Sequence, residues 1–203
     1  MRFSLLLALA RSLAQAPWCG HCKKLEPDYI KFANVFKNDA DVVIARYDAD
    51  AHKGKASKYG VSGYPTLKYF PKENKKGEDY AGGRTLDDLV SFINERAGKE
   101  RNSDGSLTTE AGRLPQFDDL VTKFKNGDRT GALAQAKTLA SSLSGLEARL
   151  AAVYIRIFEK IAAGDENFAS EESGRVSRML ESGSVKAAKA DEFQMRLNIL
   201  NSF

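Results

Sequence analysis

Residues Gly98 to Pro115 divide this chain of 203 residues into two regimes. The stretch holds Gly, Ser, Asn, Thr and charged side chains, with Leu107 and Leu114 as its only large apolar residues. That is the composition of a linker or an exposed loop. Before it, segments of strand and helix character alternate. After it, no strand signal is present. Such a chain is expected to hold two units of different class.

The second unit is expected to be all-helical, over residues 115–203. Phe117, Leu120, Val121 and Phe124 form one apolar stripe, and Leu133, Ala136, Ala140 and Leu143 a second. The clearest runs Leu146, Leu150, Val153, Tyr154, Ile157, Phe158, Ile161, at helical steps of three, four and one. Phe168, Val176, Met179 and Leu180 suggest a fourth helix, and Phe193, Leu197 and Leu200 a fifth. Breaks fall at Gly127-Asp128, Gly145, Gly164-Asp165 and Gly183. Five helices in about ninety residues make a small bundle, whose stripes are core.

The first unit alternates. Helical spacing follows Lys23 through Leu25, Tyr29, Phe32, Ala33 and Phe36, with Pro27 expected to kink it. Val42 to Tyr47 is β-branched and strand-like. His52 to Tyr59 is one short helix, Thr66 to Phe70 a strand, and Glu78 to Tyr80 a short strand. Thr85 N-caps a helix with Asp87 and Asp88 in its first turn.

Charge excludes one class of partner. The net charge of +4 is spread along the chain with no long Lys/Arg block, so nucleic acid is not expected. No apolar run reaches the length needed to span a bilayer. The longest, Phe3 to Ala10, follows Arg2, and small-x-small steps occur at Ala8-Leu9-Ala10 and Ala14-Gln15-Ala16. This is the pattern of a secretory signal, expected over residues 1–16. The rival is a buried parallel strand, which is also a short apolar run. Position and composition, Leu and Ala without β-branching, favour the signal.

Cys19 and Cys22 are the only two cysteines, within Pro17-Trp18-Cys19-Gly20-His21-Cys22-Lys23. Two thiols at this spacing form a redox couple or half of a metal site. A structural zinc site needs four ligands. His21 lies inside the pair and His52 has no partner at finger spacing, so the redox reading is favoured and no cofactor is expected. Haem attachment would need a histidine after Cys22, where Lys23 stands. The attacking species is a thiolate, and a helix N-terminus lowers the pKa of the cysteine placed on it. Cys19 is then the exposed nucleophile, and Cys22, one turn in, is shielded. His21 can stabilise the Cys19 thiolate.

The segment Ala16 to Leu25 resembles the active site of protein disulfide isomerases. Tyr47-Asp48-Ala49-Asp50, Tyr59-Gly60-Val61, Gly63-Tyr64-Pro65-Thr66-Leu67 and Tyr80-Ala81-Gly82-Gly83-Arg84 follow in the family's order. The resemblance covers residues 16 to about 97 and implies a thioredoxin-like fold, over residues 17–97. It also implies a cis-proline at Pro65 facing the site, substrate contact by Trp18, Tyr64 and Pro65, and an Arg84 that tunes Cys22. Thiol–disulfide exchange on unfolded or disulfide-bonded polypeptides in the endoplasmic reticulum lumen follows from it, with a thiol oxidase or glutathione as redox partner. The C-terminal Asn201-Ser202-Phe203 is no retrieval signal, so that location rests on the resemblance. The helical unit is similar to the C-terminal domain of endoplasmic reticulum protein 29, on Asp191-Glu192-Phe193 and Arg196 to Leu200. In relatives that module is linked to polypeptide or partner binding.

The chain departs from the family before Ala16. The family's first strand, first helix and central strand are not recognisable there, so the α/β domain is expected to be incomplete, with these elements missing or replaced. Loss of the central strand would leave Val42 to Tyr47 and Thr66 to Phe70 without ladder partners. Residues 5 to 13 are the candidate substitute, with Arg11 near the sheet centre. Leu13 stands where the family carries a buried glutamate that relays protons to the second cysteine, and leucine cannot do so. Impaired redox folding is the expectation.

Overall fold

The computed structural model describes residues 9–183 and 185–203, without the side chains of residues 9–12, 187 and 188. The described residues form two compact units, which divide between Ser106 and Leu107.

The first unit contains β1 (Leu9–Gln15), α1 (Gly20–Val35), β2 (Val42–Asp48), α2 (Lys53–Lys58), β3 (Thr66–Phe70), β4 (Glu78–Asp79) and α3 (Leu86–Ala97). The sheet order is β2-β1-β3-β4. β1 is parallel to β2, with Leu13 beside Arg46, and antiparallel to β3, with Leu13 beside Leu67. The segment whose composition favours a secretory signal therefore supplies the central strand at residues 9–15. β2 and β3 keep a partner between them, and the expected loss of ladder bonds does not occur. Most of the apolar run Phe3 to Ala10, and the side chain of Arg11, lie outside the described residues.

Leu13 is fully buried in a core with Leu25, Tyr29, Phe32, Leu67, Tyr69, Leu89 and Ile93. α1 supplies its share through Leu25, Tyr29, Phe32 and Val35, one stripe of a helix that runs unbroken through Pro27. α3 opens with a capping box between Thr85 and Asp88 and ends on Gly98, whose φ of 59° is the left-handed cap that favours glycine.

The segment expected as an open linker, 98–114, is divided between the units. Arg101 is 4 % exposed. Its backbone N–H and C=O are both bonded by the Asn94 amide, at 3.1 and 2.7 Å, and its Nε bonds Asp39 at 2.8 Å. These bonds carry the chain past Gly98 along the first unit. From Leu107 onward it belongs to the second. There Asn198 donates to the carbonyls of Thr108 and Ala111, both at 2.9 Å.

Five helices make up the second unit: α4 (Pro115–Lys125), α5 (Arg129–Ala140), α6 (Gly145–Ala162), α7 (Phe168–Glu181) and α8 (Ala187–Leu200). α6 is central and buries Leu150, Ala151, Tyr154, Ile157, Phe158 and Ile161. Leu146, the first residue of its expected stripe, is instead 46 % exposed. The Tyr154 hydroxyl donates to Asp118 at 2.6 Å and accepts the Leu114 N–H at 3.2 Å. Burial and the Asp118 bond push its pKa up, so it stays a neutral phenol in the core.

Candidate active site

The first turn of α1 carries the two sulfurs. Cys19 is the N-cap, with φ −75° and ψ 111°, and its Sγ accepts the N–H of Cys22 at 3.2 Å. This is the position where unpaired amide N–H groups and the helix dipole favour negative charge. Cys19 and Cys22 are joined in a disulfide with their Cα atoms 5.2 Å apart. Both residues are buried, Cys19 at 6 % and Cys22 at 3 % exposure. The expected contrast between an exposed first sulfur and a shielded second is therefore absent in the oxidised pair. The reason is packing: Ala16, Cys19 and Cys22 form one small cluster, and Tyr64 lies against it. His21, between the cysteines, is exposed.

Around this cluster stands an aromatic rim. Trp18 is 67 % exposed, and its ring meets that of Tyr64 edge-on at 5.9 Å. Its indole N–H donates to Asp50 at 3.0 Å. This bond, together with Lys53, outweighs desolvation and holds the Asp50 carboxyl below its ordinary range. Asp50 thus fixes the orientation of an exposed indole, a part that sequence reasoning does not assign to it. Its residue type is common in loops, and only the fold brings it to Trp18 across 32 positions.

The Tyr64–Pro65 peptide is cis and Pro65 is buried. Arg84 is exposed, and its Nη2 donates to the Pro65 carbonyl at 3.3 Å. The structure thus brings Trp18, Cys19, Cys22 and Tyr64 together and ties Arg84 to the Pro65 loop. The expected role of Arg84 at Cys22 is not represented by a contact in this state.

Leu13, in the central strand, is fully buried. Its register neighbour Arg46 pairs with Glu26 of α1. No group of three or more His, Cys, Asp or Glu among the described residues is arranged to hold a metal ion. No helix among them is long and apolar enough to cross a membrane.

Comparison with known proteins places this geometry. Residues 14–95 match the thioredoxin family, and residues 112–203 match "Endoplasmic reticulum protein ERp29, C-terminal domain". Protein disulfide isomerase-like 2-2 of Oryza sativa subsp. japonica is 51% identical over 191 residues, covering 93% of this chain and 51% of its own length. A probable protein disulfide-isomerase A6 of Medicago sativa is 46% identical, over 93% of this chain and 52% of that protein. The chain thus spans about half the length of the curated relatives it matches. Among solved structures, the first thioredoxin domain of mouse protein disulfide-isomerase A4 is 40% identical, with a TM-score of 0.38 over 43% of this chain and 61% of that one. The chain thus holds a thioredoxin domain that carries a Cys-Gly-His-Cys site, followed by an ERp29 C-terminal domain, and over 93% of its length it is similar to protein disulfide isomerases.

Proposed function

We propose that this chain is a thiol–disulfide oxidoreductase and isomerase acting on secretory-pathway polypeptides in the endoplasmic reticulum lumen. The observation that carries the reading is the Cys19–Cys22 disulfide on the first turn of α1, with Cys19 as the cap and Tyr64, which precedes cis-Pro65, packed against the cluster of Ala16, Cys19 and Cys22. In oxidation, a substrate thiolate attacks the Cys19 sulfur and the Cys19–Cys22 bond breaks, leaving a mixed disulfide and a Cys22 thiolate. A second substrate thiolate then attacks its own chain's sulfur in that mixed disulfide. The Cys19 thiolate leaves, the substrate disulfide forms, and two electrons remain on the reduced pair. Reduction runs the same steps backward, with Cys22 as the resolving thiol. His21 tunes the Cys19 thiolate, Trp18 and Tyr64 contact the substrate, Pro65 shapes its groove, and Arg84 holds the Pro65 loop or turns to Cys22. Glutathione or a thiol oxidase resets the pair.

The test is insulin reduction together with trapping. Cys19→Ser should abolish exchange, whereas Cys22→Ser should accumulate mixed disulfides. Absence of the trap would overturn the assigned order.

A second reading rests on Leu13, which leaves the buried position without a carboxylate to accept the Cys22 proton. In it, exchange is impaired and the chain acts by binding polypeptides through its helical unit. An inactive full chain that still binds unfolded polypeptide, with the binding retained by a proteolytic fragment starting near Leu107, would select this reading.

A further inference from the structure

The sheet of the first unit has two unlike faces. Side chains alternate along a strand. Leu13, Val42, Leu67 and Tyr69 enter the core shared with α1 and α3. Their neighbours Ala14, Lys68 and Phe70 therefore lie on the other face. With Ala45, Tyr47 and Tyr59 they line an open cavity of about 410 Å³. That volume lies within the range of small-molecule sites.

Its walls are alanine and aromatic, and among them sits a cation. The Lys68 side chain is 9 % exposed. β3 runs between β1 and β4, which keeps Lys68 in the sheet interior. A buried ammonium needs a counter-charge. Among the described residues its one ion-pair partner is Asp79 of β4, whose own side chain is 69 % exposed and meets water. One more cation, Lys55, lines the cavity, while the guanidinium of Arg46 turns to Glu26 of α1 on the opposite face. Lys55 makes no ion pair among the described residues. The cavity thus joins an apolar body to positive charge, with a single, displaceable carboxylate on the deepest cation.

We infer that this cavity binds a small amphiphilic carboxylate, with its head group on Lys68 and its apolar body against Ala45, Tyr59 and Phe70. The ligand carboxylate takes over the Lys68 ammonium from Asp79, which returns to full hydration. Neither the sulfurs nor Trp18 lines this cavity, so the inference stands apart from the redox reading.

Decanoate and its neutral counterpart decanol, titrated calorimetrically into the full chain, test it. One decanoate should bind per chain, about tenfold or more tighter than decanol, as a charge-assisted bond at a buried site implies. Lys68→Met should reduce decanoate to the decanol level and leave decanol unchanged. Asp79→Asn keeps Lys68 and removes its competitor, and should tighten decanoate about threefold, the scale of a surface ion pair. Cys19→Ser protein should bind as the parent does, which separates this result from any failure of exchange activity. Equal binding of decanoate and decanol, or decanoate binding that Lys68→Met does not weaken, would overturn the inference. So would sedimentation showing that a second copy covers this face and is not displaced by decanoate.

Discussion

The two units solve the burial problem differently. In the bundle, one central helix is surrounded. α6 buries six side chains in a single core, which α4, α5, α7 and α8 close from the sides. In the sheet unit, the core and the chemistry lie on different elements. α1 and α3 close one face, the sulfurs sit at one end of α1, and the other face keeps an open cavity with a lysine in it. The sheet unit depends on one strand, β1, for every long-range ladder between β2 and β3. Damage to the bundle should be graded by volume removed, while damage to β1 should also remove the platform of the site.

This contrast can be broken by experiment. The chain has one tryptophan, Trp18, in the first unit, so its fluorescence reports that unit, while far-UV circular dichroism reports the helices of both. The largest effect is expected for Phe158→Ala. Phe158 is fully buried and its ring meets Phe124 and Phe203, each at 4.9 Å. Removing it should destabilise the bundle by about 3–5 kcal/mol. The denaturation midpoint by dichroism should fall, and that of Trp18 fluorescence should stay. Equal movement of both would show that the units unfold as one.

Leu13→Ala should cost about 2–5 kcal/mol, on the same mechanism. Here the Trp18 midpoint should move, and insulin reduction should fall at temperatures where the parent is active. Retention of the Trp18 midpoint would show that β1 is not what holds the sheet.

Asn198→Ala tests the joint of the second unit. It strands the carbonyls of Thr108 and Ala111, at an expected cost of about 1–3 kcal/mol. Faster proteolysis between Leu107 and Leu114 would accompany it, because those bonds hold the segment down.

How much of this was readable follows the same divide. Each of the five bundle helices appears over its apolar stripe, with two departures: α5 ends at Ala140, before Leu143, the last residue of its stripe, and Leu146 sits exposed at the start of α6, where the helix has only begun to be surrounded. α1, β2, α2, β3, β4 and α3 also carry local signals, such as the β-branched start of β2 and the Thr85 cap. β1 does not. Leu9-Ala10-Arg11-Ser12-Leu13-Ala14-Gln15 has no β-branched residue and a charge in its middle. It is a strand because β2 and β3 present ladders on both sides, a tertiary cause that overrides propensity. The segment 98–114 misleads for a related reason. Its polar composition suggests exposure, but Asn94, Arg101 and Asn198 tie it down through side-chain bonds that have no sequence period. The site divides likewise. The spacing of Cys19 and Cys22 announces redox chemistry, while Asp50 under the Trp18 indole and Arg84 on the Pro65 carbonyl need the fold to bring them there. The Lys68 cavity is drawn from three strands and α2, and no single segment of sequence holds its pattern.

The smallest expected effect lies where the two units meet in sequence, and it has a sign. Lys99 pairs with Asp41 at 2.8 Å. Partial burial alone would raise the Asp41 pKa, but the Lys99 bond and charge outweigh it and hold the carboxyl below its ordinary value of 3.8. A carboxylate depressed on folding contributes stability above its unfolded value, and loses that contribution as pH falls through the folded one. Lys99→Met should therefore cost less than about 1 kcal/mol at pH 7, since the pair is partly solvated. The difference from the parent should shrink as pH drops below 3.8 and vanish once Asp41 is protonated in both states. Urea midpoints by Trp18 fluorescence across that range measure it. A difference that persists in acid would mean that Lys99 acts through packing of its alkyl chain and not through its charge.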